Sequence, residues 1–182
     1  MKKLFSLLVF TLLVSSNTLA QYQFDWMQEA GEYNKTAAMM AIDNSNNVVV
    51  AGHWPHSAIY TRKYSSTGTL LWEVTNSSGI QSNYQKSIWT NCDSSGNIFV
   101  VGKRYSTSSS GVQEYADAIV VLKYNPSGTL LWKRNLPVTQ STVGTSAGFS
   151  LRSEVDAAGN LYIGTSQLIP YGLTLIKISP TG

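Results

Sequence analysis

Apolar residues fall along this chain in short runs set apart by Asp, Asn, Ser and Gly, and the runs recur in a fixed order. Asp43 to Gly52 reads DNSNNVVVAG, Asp93 to Gly102 reads DSSGNIFVVG, and Asp156 to Gly164 reads DAAGNLYIG, one residue shorter. A second element follows each: Lys63 to Trp72 reads KYSSTGTLLW, Lys123 to Trp132 reads KYNPSGTLLW, and Lys177 to Gly182 reads KISPTG. The two complete copies of this second element lie 60 residues apart, and the order of the two elements never changes. Self-similarity of this kind marks a repeat architecture.

Each piece predicts an element. In D-x-x-G-N the Asp side chain closes an Asx-type turn, and the Gly, or Asn46 in the first copy, takes a left-handed conformation that other residues resist. The apolar runs Val48–Ala51 and Ile98–Val101 that follow read as strands buried on both faces. Before each Asp, apolar residues at Ala38 and Ile42, Ile88 and Cys92, and Leu151 and Val155 predict a strand leading into the turn. Ala58–Tyr64 and Ala118–Tyr124 read as a third strand, and the TLLW segments as a fourth. Four short antiparallel strands per unit, repeated, describe a β-propeller blade. The gaps from Trp26, Trp72 and Trp132 to the next repeated Asp are 17, 21 and 24 residues, so variable length collects between elements, where loops absorb insertions at little cost. Trp26, in YQFDW, stands where the end of a preceding blade would stand and reads as a lone outer strand able to complete the last blade of a ring.

Composition agrees. Of 182 residues, 43% are apolar, 11% aromatic and only 13% charged, which excludes a coiled coil or a charged disordered tail and favours an all-β, turn-rich protein. The single Cys excludes an intrachain disulfide framework and a multi-Cys zinc site. Met1–Ala20 carries Lys2 and Lys3, then an apolar run from Leu4 to Val14, then SSNTLA with Thr18 and Ala20 at the −3 and −1 positions of a cleavage site. That is the pattern of a secretory signal peptide. The run is too short for a spanning helix, which needs about 20 residues, and no Cys follows the site to take a lipid. Cleavage before Gln21 would lower the basic count from 13 to 11 against 10 acids, so a positive field that would steer nucleic acid is not expected.

The pattern D-x-x-G-N-hydrophobic-x-V-x-G followed by K-Y-x-x-x-G-x-L-x-W resembles the bacterial seven-bladed β-propeller repeat known as SBBP, over nearly all of residues 36–182. That resemblance implies an extracellular propeller scaffold with no shared catalytic residues. The TG-x-L-x-W piece is also similar to the tryptophan-docking repeat of quinoprotein propellers, which has an Asp where this chain has Ser65 and Asn125. The expected organisation is a signal peptide (1–20), a lone outer strand and linker (21–35), and propeller repeats (36–182) with blades at about 36–75, 86–135 and 147–182, the last incomplete.

Candidate chemistry is thin. Gly144–Gly148 reads GTSAG, a formal match to the G-x-S-x-G nucleophile elbow, but a strand pattern follows Ser146 and both histidines lie upstream, so an interblade loop is expected. His53 and His56 bracket Trp54 and Pro55 without a third metal ligand nearby. Asp43, Ser45 and Asn47 have the spacing of a calcium loop, but the glycine at its sixth position and the Glu at its twelfth are missing. Cys92 occupies the position of Ile42 and Val155 and reads as a small buried apolar residue. Trp72 and Trp132 read as packing residues between blades, and Tyr105–Gly111 as a long exposed loop. No catalytic, cofactor-binding or metal residue is expected.

Two functional classes follow: a secreted non-catalytic propeller scaffold or binding module taking a protein or glycan ligand, or a fragment of a propeller enzyme of hydrolase, lyase or quinoprotein type whose catalytic residues lie in other blades. Propellers close with about four to eight blades. Two units and most of a third are therefore expected to belong to a longer or truncated protein, or to self-assemble to close a ring.

Overall fold

A computed structural model of the chain describes residues 25–28, 36–54, 58–77, 84–107, 114–138, 151–165 and 173–182. Among these residues the protein is all-β, with eleven strands in three antiparallel sheets and no helix. The first sheet is β1 (Thr36–Ile42), β2 (Val48–Trp54), β3 (Ala58–Tyr64) and β4 (Leu70–Ser77), each paired with the next in chain order. The second is β5 (Tyr84–Cys92), β6 (Ile98–Thr107), β7 (Glu114–Tyr124) and β8 (Leu130–Pro137). The third is β9 (Leu151–Val155), β10 (Leu161–Thr165) and β11 (Thr174–Ile178). These are propeller blades: short meanders in which successive strands are joined by tight turns or loops. The fourth strands start at Leu70 and Leu130, inside the TLLW segments.

One turn design serves every tight hairpin. At Asp43 the backbone N–H of Asn46 donates to the Asp43 carbonyl at 2.9 Å, and that of Asp43 donates to the Asn47 carbonyl at 3.0 Å. The same pair of bonds recurs at Asp93, Asp156, Ser65 and Asn125. The fourth residue of each turn has positive φ, from 59° at Asn46 to 88° at Gly128, the conformation for which Gly and Asn are suited. The side chain at the first position fixes the turn. Asp43 Oδ1 accepts from the N–H groups of Ser45 and Asn47 at 2.8 and 2.9 Å, and Asn125 Oδ1 accepts from those of Ser127 and Thr129 at 3.1 and 2.8 Å. Ser65 Oγ does the same for Thr67 and Thr69. Ser65 and Asn125 thus do the turn-closing work that Asp does at 43, 93 and 156.

The sheets stack face to face because the middle strands alternate their side chains between two apolar cores. Ile98, Val100, Val120, Leu122 and Tyr124 pack on Val49, Ala51 and Ile59 of the first blade. Their neighbours Phe99, Val101, Ile119 and Val121 pack on Leu151, Leu161, Ile163 and Ile178 of the third. The blades approach each other through their first strands, with β5 against β1 on one side and β9 on the other. The sheets therefore fan out from that edge.

Two expectations are corrected. β6 is buried on both faces, but the run Val48–Ala51 in β2 is fully buried on one face alone: Val49 and Ala51 face the second blade, and Val48 and Val50, which face away from it, are half-buried. The segment expected as a loop from Tyr105 is strand as far as Thr107, held by continued pairing of Tyr105, Ser106 and Thr107 with Ala116, Tyr115 and Glu114.

Candidate functional site

The recurring Trp, Lys and Asp residues converge on the seams between blades. Trp72 ends the TLLW segment of the first blade, and its indole N–H donates to the Pro126 carbonyl in the turn of the second blade, 54 positions away, at 3.0 Å. Trp132 makes the same bond to Pro180 of the third blade at 3.1 Å. Trp26 makes it to Ser66 of the first blade, also at 3.1 Å. Each indole ring lies over the positive-φ Gly of the turn it reaches. A Cβ built on Gly68 would stand 2.8 Å from Trp26, one on Gly128 2.8 Å from Trp72, and one on Gly182 3.1 Å from Trp132. Glycine is needed at Gly68 and Gly128 for both reasons, backbone conformation and close approach. Each ring also flanks an aromatic: Trp26 stacks on Tyr64 and Trp72 tilts against Tyr124, with centroids 6.3 and 6.4 Å apart.

A buried lysine accompanies each of the two seams between blades. Lys63 Nζ lies 2.8 Å from Asp43 Oδ2 in its own blade and donates to the Pro126 carbonyl of the next at 3.2 Å. Pro126 O thereby accepts from both Trp72 and Lys63. Lys123 repeats this with Asp93 at 3.8 Å and Pro180 at 3.0 Å, and its ammonium also sits 4.7 Å from the centre of the Phe99 ring. Burial alone would raise the Asp43 carboxyl, but the Lys63 ammonium and the N–H donors of Asn47 and Ser45 outweigh it and hold the group down at about 2. Removing either member of the Asp43–Lys63 pair would leave a buried charge without its partner, at a cost of about 3–5 kcal/mol.

At the first-strand edge the turns are laced to one another. Asn44 Nδ2 donates to the Ser94 carbonyl at 2.8 Å, and Ser94 Oγ donates to the Ala157 carbonyl at 3.3 Å. Ser153 Oγ donates to Asn91 Oδ1, and Asn91 Nδ2 returns a bond to the Ser153 carbonyl. The Trp89 indole donates to the Leu151 carbonyl. Trp89, Asn91 and Ser94 thus belong to an interblade belt that sequence reasoning missed, since nothing local links positions about 60 residues apart.

The remaining candidates are placed as follows. Asp43, Ser45 and Asn47 form the turn itself, with both Asp43 oxygens occupied by protein donors. Cys92 is half-buried beside the core between the first two blades, and burial, with the Asp43 charge adding, pushes its thiol up to about 11. At that value it is a thiol rather than a nucleophilic thiolate at neutral pH. His53 lies in β2, while His56 and GTSAG fall outside the described residues, as does the 1–20 segment. Among the described residues no three His, Cys, Asp or Glu side chains are grouped to hold a metal, and no helix is long and apolar enough to cross a membrane. A further charged group went unforeseen. Arg104 bonds Asp117 through two nitrogens at 2.8 and 2.9 Å, and Ser106 Oγ adds a third donor at 2.7 Å.

Fold and seams together define an all-β protein of stacked, blade-like sheets joined by repeated Trp, Lys and Asx contacts. No family model and no curated protein matches the chain. It is similar to a crystal structure, at 1.35 Å resolution, of a protein of unknown function from Bacteroides caccae, with 13% identity and a TM-score of 0.48. The match covers 83% of this chain and 48% of that one, so the chain spans about half the length of that protein.

Proposed function

We propose that the chain is a secreted, non-catalytic β-propeller scaffold of SBBP-repeat type whose loops present a binding surface to a protein or glycan. The observation that carries this reading is the use made of the recurring polar residues. Asp43, Asp93, Lys63, Lys123, Trp26, Trp72 and Trp132 are all engaged in closing turns or joining blades. Residues that a repeat keeps for structure leave function to the loops between strands, whose lengths vary from unit to unit. The pattern of Met1–Ala20 supports export, with Gln21 as the first residue of the mature chain.

The test is to express the chain with residues 1–20 in a bacterial host, recover it outside the cytoplasm, and run it through gels containing a panel of soluble polysaccharides and glycoproteins. The expected result is an N-terminus at Gln21 and retarded migration in at least one gel, with no new reducing ends or peptides. Retention in the cytoplasm with Met1 intact would overturn the export reading. Products that accumulate in proportion to the chain would overturn the non-catalytic one.

A further inference from the structure

The seam between the first and second blades and the seam between the second and third share one plan, and beside the repeated Asp they depart from it. In the second seam Asn91, just before Asp93, reaches Ser153, just before Asp156. The Ser153 hydroxyl donates to Asn91 Oδ1 at 2.8 Å, and Asn91 Nδ2 donates to the Ser153 carbonyl at 3.2 Å. One carboxamide thus satisfies both polar groups of a serine that is 2% exposed. In the first seam the same two positions hold Ala41 and Thr90. The registers make the correspondence exact in the chain: Ala41 pairs with Val49 as Asn91 does with Phe99, and Thr90 pairs with Val100 as Ser153 does with Ile163. Thr90 is 4% exposed, and its hydroxyl oxygen is buried with no hydrogen-bond partner among the described residues. The methyl group of Ala41 supplies neither the acceptor nor the donor that Asn91 supplies.

We infer that one internal water takes the place of the Asn91 carboxamide in the first seam, accepting a hydrogen bond from the Thr90 hydroxyl and donating one to the Thr90 carbonyl. A buried hydroxyl left without a partner is costly, and a native seam is expected to satisfy it. The strands do not close over the shortened side chain, because the neighbouring turns are laced in both seams. Asn44 Nδ2 holds the Ser94 carbonyl at 2.8 Å in the first, as Ser94 Oγ holds that of Ala157 at 3.3 Å in the second. The carboxamide by which Asn exceeds Ala has the room of one water, about 30 Å³. The Thr90 carbonyl is within reach because β5 keeps the register of β9, whose Ser153 carbonyl leaves the sheet edge toward Asn91. The water then has two polar partners, which suffices for an internal one. Ala41 is only half-buried, which gives solvent a way in. The surroundings are polar as well. Thr61 and Tyr124 place buried hydroxyls where the second seam has the apolar Val121 and Ile178. Those two lie close together: burial pushes the Tyr124 phenol up to about 12, and the Thr61 hydroxyl acts against that rise. The first seam is thus joined through water at the point where the second is joined by protein alone. The inference rests on the fold and its seams, not on the ligand-binding reading.

Ala41→Asn tests it by copying the second seam into the first. Oxygen-17 relaxation dispersion counts the long-lived waters of the purified chain, and a high-resolution crystal structure shows which groups they bridge. In the wild-type chain the expected result is a water oxygen within hydrogen-bond distance of both Thr90 Oγ1 and the Thr90 carbonyl. In Ala41→Asn the carboxamide is expected in its place, with one long-lived water fewer. Thr90→Val keeps the shape of the side chain and removes its hydroxyl, and it is expected to lose the same water. It also carries the test if the Asn variant fails to fold, which circular dichroism would show. A wild-type Thr90 hydroxyl bonded to a protein atom would overturn the inference, as would a count of long-lived waters that stays the same in a folded variant.

Discussion

Gly96 and Gly128 sit at the same point of the same turn, with φ of 76° and 88°, but only Gly128 lies under a tryptophan. A Cβ on Gly96 would meet Pro126 at 3.4 Å, an ordinary contact, whereas one on Gly128 would stand 2.8 Å from the Trp72 ring. Gly96→Ala is therefore expected to cost only the left-handed strain of an L-residue, about 1–2 kcal/mol. Gly128→Ala adds the displacement of Trp72, with its hydrogen bond and its burial, for a total larger by about 2 kcal/mol. Urea titration followed by tryptophan emission measures both: the prediction is a lower midpoint and a red-shifted native emission for Gly128→Ala, and equal midpoints would contradict it. The turn was legible in the sequence, because Asp, Gly and Asn state their local geometry through their own side chains. The tryptophan above it was legible as a packing residue but not by its partner, since no local signal connects Trp72 to a turn 54 positions away. Gly164 misled in the opposite direction. It looks like the shortened counterpart of Gly52 and Gly102, but the strand registers put Thr165 in that place and Gly164 opposite Leu175.

At the scale of elements, the order and number of strands per unit could be read from alternation and turn residues, and β3 spans the expected Ala58–Tyr64. What could not be read was how far β6 and β7 continue. RYSTSSSG is polar and Ser-rich, the composition of a loop, but the hairpin persists to Thr107 paired with Glu114. Two features hold it. Asp117 is the extra residue at a bulge opposite Arg104 and Tyr105, and its carbonyl accepts from the Val138 N–H at 3.0 Å. Its carboxylate is gripped by Arg104 and Ser106. Asp117→Asn keeps the shape and removes the charge. The side chains of this pair are 24% and 20% exposed, so the expected loss of global stability is small, below about 1 kcal/mol. The amides of Tyr105–Thr107 are expected to exchange faster with deuterium while those of Ile98–Val101 keep their protection. Unchanged exchange at Tyr105–Thr107 would show that the strand extension does not depend on the ion pair.

The described sheets form a stack in which neighbours finish one another: the turn of one receives the tryptophan of the one before, and the middle blade buries both faces. The sequence carries the repeat and therefore the architecture. It does not show which faces are covered, because Val48 and Val50 look like Ile98 and Val100 on paper and differ only in having no described sheet against them. Nor does it show that a lysine is buried at each seam, since nothing local to Lys63 or Lys123 brings Asp43, Asp93 and the turn carbonyls beside them. The central claim is that the tryptophans join successive blades through a single repeated contact, and the indole N–H protons report on it directly. In a two-dimensional NMR spectrum the Trp72 indole proton should exchange slowly with solvent and show cross-peaks to Pro126, Ser127 and Gly128, and that of Trp132 should do the same with Pro180, Thr181 and Gly182. Indole protons that exchange at the rate of free tryptophan and show cross-peaks only within their own blade would contradict the account.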